Sequence, residues 1–183
     1  MENTLPTKQE AAELLQEHVT DTYLKLHSLM VGTTLEGYAK LFNEDPHLWF
    51  ITGYLHDIDF QKHPTLHPGE SLKWFKEWNY PNEIIHAVHS HAYGYNGYTQ
   101  EPETVLASAL IACDELCGIF YAYKKLNPIP YKEMKISSIL KRLKDRTFAP
   151  NIKREDIEYG CRKLGITMEE HVKHMIEFLG VLN

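Results

Sequence analysis

Residues 104–123 read TVLASALIACDELCGIFYAY. Apolar side chains fall on nearly every face of a 3.6-residue period, so the stretch is expected as a helix buried at the centre of a core, running from about Glu103 to Tyr123. Asp114 stands in its middle. One turn to either side lie Leu110, Ile111, Cys117 and Gly118, none of them charged. A carboxylate on such a face costs on the order of several kcal/mol unless a cation or strong hydrogen-bond donors meet it. Nothing in the local sequence supplies them, so the partner has to come from elsewhere in the chain or from an ion.

Outward from this segment the pattern stays helical. "TKQE" gives Thr7 and Glu10 the spacing of a capping box ahead of an apolar run. His27, Val31, Leu35, Tyr38 and Phe42 then recur at helical spacing, which turns His27 inward. Asp45-Pro46 opens a third helix, "HLWFITGYLHDI", whose Gly53 is expected to leave room for something bulky one turn before His56 and Asp57. Further helices are predicted from Pro68 to about Trp78, from Pro81 to about His91, and near 131–144, 154–164 and 168–180, with "RTFAPNI" and "KLGIT" as breaks. Strand-type alternation is missing over any useful length, and neither a repeat nor a long linker interrupts the chain. The expected class is all-α, a single-domain helical bundle over residues 1–183.

Charge and cysteine usage narrow the setting. With 25 acidic against 19 basic residues the net charge is −6, a field that repels nucleic-acid polymers and anionic membranes. Cys113, Cys117 and Cys161 form no even framework, which suits a reducing cytoplasm. The N-terminal stretch has no apolar signal region, and no uninterrupted apolar run of about 18 residues follows, so a soluble cytoplasmic protein is expected.

His56 and Asp57 repeat the problem posed by Asp114, since both follow an apolar segment. A divalent transition metal would answer all of these groups together, because imidazole nitrogen and carboxylate oxygen make a mixed site suited to iron, manganese, cobalt, nickel or zinc. Adjacent residues inside a helix diverge by about 100°. At a helix end the last turn can open and let both converge on one ion, with His27 and Asp114 arriving from other helices. A lone histidine on an apolar face is more simply a hydrogen-bonded core residue. The set is not, because the two acids have no comparable cheap solution.

His27 in "KLHSLMVG", the doublet in "LHDID" and Asp114 in "ACDELCG", in that order along a helical chain, resemble the HD superfamily of metal-dependent phosphohydrolases. "HPTLHPGESLKWF", "AVHSHAYG" and "LKRLKDRTFAPNIKREDIEYGCRKLGI" resemble its small branch of HD-domain hydrolases, so the likeness covers roughly residues 20–180. It implies a helical bundle of the HD type with a metal-site core at about 20–125 and C-terminal helices at about 130–182. It further implies one or two divalent ions (manganese, iron, cobalt, nickel or zinc, with magnesium possible) held by His27, His56, Asp57 and Asp114. His67 stands where two-metal members carry a histidine that opens the next helix, and His91 is the candidate to join it. Helical periodicity supports that choice: His91 lies roughly 70° from the apolar centre set by Ile84, Ile85 and Val88, His89 roughly 90°, and His86 roughly 150° and hence outward.

The implied reaction is hydrolysis of a nucleotide or another small phosphorylated metabolite by a metal-activated water, with His56 and Asp57 at its centre and Asp57 bridging two ions where two are bound. Lys62, Arg142, Lys144 and Arg146 are the candidate phosphate binders, although a run such as "KRLKDR" is more often a solvated helix face. Asp59 and Phe60 stand where the branch that cleaves cyclic dinucleotides has glycine and lysine, which argues against that substrate. A mixed-valent di-iron oxygenase of the same superfamily shares the ligand arrangement, and a non-catalytic ligand-binding module would keep the helical core; both remain as alternatives. Cys113 and Cys117 are expected in the core, His63 and His89 at the surface, Glu115 on the helix surface or behind a ligand, and "YGYNGY" as a lid or a packed turn.

Overall fold

The computed structural model describes residues 5–182. Nine α-helices and no strand occur among them, as the all-α reading expects. They are α1 (Lys8–His18), α2 (Thr22–Phe42), α3 (Pro46–Leu55), α4 (Gly69–Glu77), α5 (Asn82–His91), α6 (Val105–Leu126), α7 (Ile136–Lys144), α8 (Arg154–Leu164) and α9 (Met168–Leu179). The segment near 131–144 is split: a short 3-10 turn covers Tyr131–Glu133, and α7 begins only after Lys135. The ends follow local chemistry. Thr7 and Glu10 form the capping box of α1, Asp21 caps α2, Asp45 caps α3 with Pro46 in its first turn, and Thr104 caps α6.

Helix α6 lies at the centre and packs against α2, α5, α7 and α8. Its length and apolarity would suffice to cross a membrane, yet 72% of its most apolar window is buried within the protein. The apolar character is spent on the core. Tyr38, Trp49, Phe75 and Phe120 are fully buried in the same contiguous cluster, and each side chain of this kind removed from water contributes about 1.5–3 kcal/mol.

Two glycines set how closely the helices approach. A Cβ at Gly53 would lie 2.8 Å from the Val31 carbonyl oxygen and 2.9 Å from the Gly32 nitrogen, so the residue lets α3 close onto α2. The space expected there for a bulky group is filled by backbone. Gly160 does the same for α8, since its Cβ would stand 2.6 Å from the Ala112 nitrogen. Both contacts fall on helices that carry His27, Asp114 or the residues leading to His56.

The link between α7 and α8 is organised by Arg154, whose exposure is only 3%. No carboxylate among the described residues pairs with it. Its guanidinium donates instead to the carbonyls of Leu143, Ala149, Ile152 and Asp145 at 2.9–3.1 Å, and to that of Phe148. One planar fork thereby satisfies the end of α7 and the loop beyond it. Gly118 of α6 receives Ile152 from that loop, which brings residues 151–156 against the central helix.

Candidate metal centre

Helix α3 ends at Leu55, and His56 and Asp57 lie in the turns that follow. The opened helix end lets the two neighbours face one point. His27 comes from α2 and Asp114 from the middle of α6, and one ligand atom from each of these four residues lies within 4.8 Å of all the others. Asp57, His67 and His91 form a second such group.

Asp57 serves both groups with different oxygens. Its Oδ2 is 3.4 Å from His56 Nε2 and 3.9 Å from His27 Nε2, while its Oδ1 is 3.2 Å from His67 Nε2 and 3.4 Å from His91 Nε2. Asp114 Oδ1 is 2.8 Å from His27 Nε2 and 3.4 Å from His56 Nε2. Donors about 2.1 Å from one ion are about 3.0–3.4 Å apart along the edges of an octahedral or tetrahedral site. The observed separations straddle that range.

Tautomers sharpen the fit. His56 Nδ1 donates to the Gly53 carbonyl (2.7 Å), His67 Nδ1 to Asp59 Oδ1 (2.6 Å), and His91 Nδ1 to the Val88 carbonyl. Carbonyl and carboxylate oxygens only accept, so each Nδ1 carries its hydrogen and Nε2 is the nitrogen turned inward, bare whenever the ring is neutral. His56 Nε2 is fully buried with no hydrogen-bond partner. His67 Nε2 and His91 Nε2 face each other at 3.0 Å, an arrangement that needs a proton or a cation between them. The residues present therefore fit a divalent ion.

The electrostatics agree. Burial pushes the His56 pKa down, but the Asp57 and Asp114 carboxylates outweigh it and raise it to about 9. For His67 the same burial is overcome by Asp57 and by the Asp59 hydrogen bond. Burial would push Asp57 and Asp114 up; the imidazoles around them hold both below the usual carboxylate range. Imidazole protons balance the two acids when no metal is bound, and a dication would replace them.

His27, Asp57, His67, His91 and Asp114 open onto a cavity of about 350 Å³. Tyr23, Phe60 and Tyr95 line it together with Glu115, Asn151, Ile152, Lys153 and Asp156. Burial and the adjacent Asp114 raise the Glu115 carboxyl to about 7, and burial raises Asp156. The expected phosphate binders do not line it. Lys62 is exposed and donates to the Glu17 carbonyl (2.9 Å), Arg142 lies over the Phe148 ring, Lys144 is exposed on α7, and Arg146 pairs with Glu155 at 2.7 Å. The expectation for these four is corrected: the "KRLKDR" run holds helix-surface and loop contacts, and Lys153 is the lysine that reaches the cavity.

Other expectations resolve by contact. Tyr95 lines the cavity, whereas Asn96 donates to the carbonyls of Pro64 and His67 and Tyr98 to that of Leu66, so "YGYNGY" both walls the site and ties down the His67 segment. His86 is half-buried rather than outward and accepts the Glu103 N–H (3.4 Å), and His63 rests on Trp74. Cys113 and Cys117 are buried in the core. The sequence reading carries no functional expectation for Asp59, Asn151, Lys153, Arg154 or Asp156, which the structure places at or behind the cavity. Asp59 has a signal, an acid two residues from the doublet in an apolar context; the residues of 151–156 have none, because only the folding of the tail onto α6 brings them to the site.

A family model described as HD domain matches residues 25–149. No curated protein and no solved structure matches the chain.

Proposed function

This chain belongs to the HD domain family, the superfamily of metal-dependent phosphohydrolases, and on that premise we propose that it hydrolyses a phosphoester of a nucleotide or another small phosphorylated metabolite. One observation carries the reading. Three histidines, each fixed through Nδ1, turn Nε2 toward the two oxygens of a single half-buried aspartate, Asp57.

His27, His56, Asp57 and Asp114 would hold one ion, and Asp57, His67 and His91 a second. Divalent ions there supply an acidified water near neutral pH and neutralise charge on the phosphoryl oxygens. The protein does the rest. The Gly53 carbonyl, Asp59 and the Val88 carbonyl lock the ring orientations of His56, His67 and His91, so the donor set is pre-organised. Phe60, Tyr95 and Ile152 wall the cavity against bulk water. Lys153 adds a positive charge to the cavity lining.

The test is phosphate release from a panel of nucleotides and small phosphoesters by chelator-stripped protein reloaded with manganese, cobalt, nickel or magnesium. Turnover that requires metal is expected. Full metal occupancy without phosphate release from any compound would overturn the reading, and substrate-dependent oxygen uptake by iron-loaded protein would replace it with the oxygenase chemistry.

A further inference from the structure

The cavity lining also carries two acids that belong to neither metal group. Glu115 of α6 lies there with Asp156 of α8. Glu115 Oε2 accepts the Lys153 backbone N–H at 3.2 Å, which leaves Oε1 without a protein partner, and the Asp156 carboxylate has no side-chain hydrogen bond among the described residues. Among the described residues neither acid has a lysine, arginine or histidine nitrogen within 4.0 Å. The only lysine or arginine in the lining is Lys153, exposed, with its ammonium 4.8 Å from the Tyr95 ring centre.

His27, His67 and His91 of the metal groups line the same cavity. His67, 3% exposed, presents Nε2 against His91 Nε2, and the nine-tenths-buried His27 leaves Nδ1 unpartnered. Phosphate belongs with the metal ions. A diphosphate or triphosphate chain would carry its extra negative charge along Glu115 and Asp156 with one lysine to offset it. A cationic group would instead give N–H donors to the open carboxylate oxygens and a charge to the faces of Tyr23 and Tyr95. About 350 Å³ is at the small end of ligand cavities.

We propose that the substrate is a small phosphomonoester whose far end bears an amine, bound as the ammonium by Glu115 and Asp156. The proposal rests on the hydrolase reading for the placement of the phosphate and adds the class of compound attached to it.

Binding separates the two claims. Manganese-loaded protein would be titrated by calorimetry with three alkyl phosphonates of equal length, ending in ammonium, methyl or carboxylate. The ammonium compound is expected to bind roughly tenfold more tightly than the methyl one, the scale of one charge-assisted hydrogen bond, and the carboxylate compound more weakly than either. In Glu115→Gln/Asp156→Asn the ammonium-to-methyl ratio should fall to about one. Damage to the fold would weaken all three compounds together and leave the ratio intact, and the wild-type series needs no variant. Equal or tighter binding of the methyl compound, no binding of any phosphonate to metal-loaded protein, or a ratio that survives in the double variant would overturn the proposal. An ammonium preference without phosphate release from any ester would leave the role of the two acids standing and overturn the hydrolase reading.

Discussion

Two histidines in this protein are equally buried and behave in opposite ways. His171 of α9 and His56 after α3 are both 0% exposed. His171 Nδ1 accepts the Tyr38 hydroxyl at 2.6 Å and Nε2 donates to the Ala112 carbonyl at 2.9 Å, so both nitrogens are partnered and burial lowers its pKa to about 4. His56 partners only Nδ1, its Nε2 lies among the carboxylates of Asp57 and Asp114, and its pKa rises to about 9. Burial therefore does not tell a ligand from a structural histidine. The atom opposite the second ring nitrogen does.

The largest effect should come from removing the residue that makes the His56 side unlike the His171 side. Asp57→Ala takes an oxygen from each metal group at once. Elemental analysis of protein purified without chelator should show at least one transition metal per chain in the wild type and background in the variant. Phosphoester hydrolysis should fall by more than about 1,000-fold, an effect of about 4 kcal/mol or more on the barrier. Chelation should lower the melting temperature of the wild type but not of the variant, because an ion that binds only the folded state stabilises it by mass action. Normal metal content in Asp57→Ala would erase the distinction between the two histidines.

His171→Leu probes the satisfied side. It leaves the Tyr38 hydroxyl and the Ala112 carbonyl buried without their partner, which costs about 2–4 kcal/mol by urea unfolding, while metal content at saturating metal stays at the wild-type value. Loss of metal together with stability would mean that the two regions are not separable.

Acid should sharpen the same contrast. The folded His171 binds its proton only near pH 4, whereas the unfolded chain binds it near 6.5. The stability it contributes is complete above pH 6.5 and is lost as pH falls toward 4, up to about 3 kcal/mol. Wild type and His171→Leu should therefore approach each other in stability over that window. Parallel curves would show that His171 does not stay neutral in the fold.

How much of this was legible follows from where the information sits. The helices were readable because periodicity and caps such as Thr7, Asp21 and Asp45 are local, and the centrality of α6 because its apolar face is nearly continuous. His27, His56, Asp57 and Asp114 were readable because a charge in an apolar context is conspicuous in one dimension. Gly53 was misread because close approach of a neighbouring backbone and space for a ligand leave the same mark, a missing side chain. Lys153 and Asp156 gave no sign at all. Their place in the cavity wall depends on the loop that Arg154 clamps and on the contact of Ile152 with Gly118, and both form only when the tail folds back onto α6.

Asp59 stands between the two cases and gives the finest test. It is 0% exposed and fully partnered, like His171, yet its partner is a candidate ligand: Oδ1 accepts from His67 Nδ1 at 2.6 Å and Oδ2 from the Ser71 N–H at 3.0 Å. Asp59→Asn keeps the shape but puts an NH2 where one oxygen was. Turned toward Ser71, that group meets another donor; turned toward His67, it meets the Nδ1 hydrogen and favours the tautomer whose Nε2 is protonated and unable to ligate. Metal affinity of the Asp57–His67–His91 group should fall about 10–100-fold, the usual scale for a residue that orients a ligand, and the group of His27, His56, Asp57 and Asp114 should bind as before. Metal titration resolves this as one site weakened and one unchanged. Equal loss at both would make Asp59 a prop for the whole helix end, and no loss at either would mean that the tautomer of His67 is set by something other than the acid beside it.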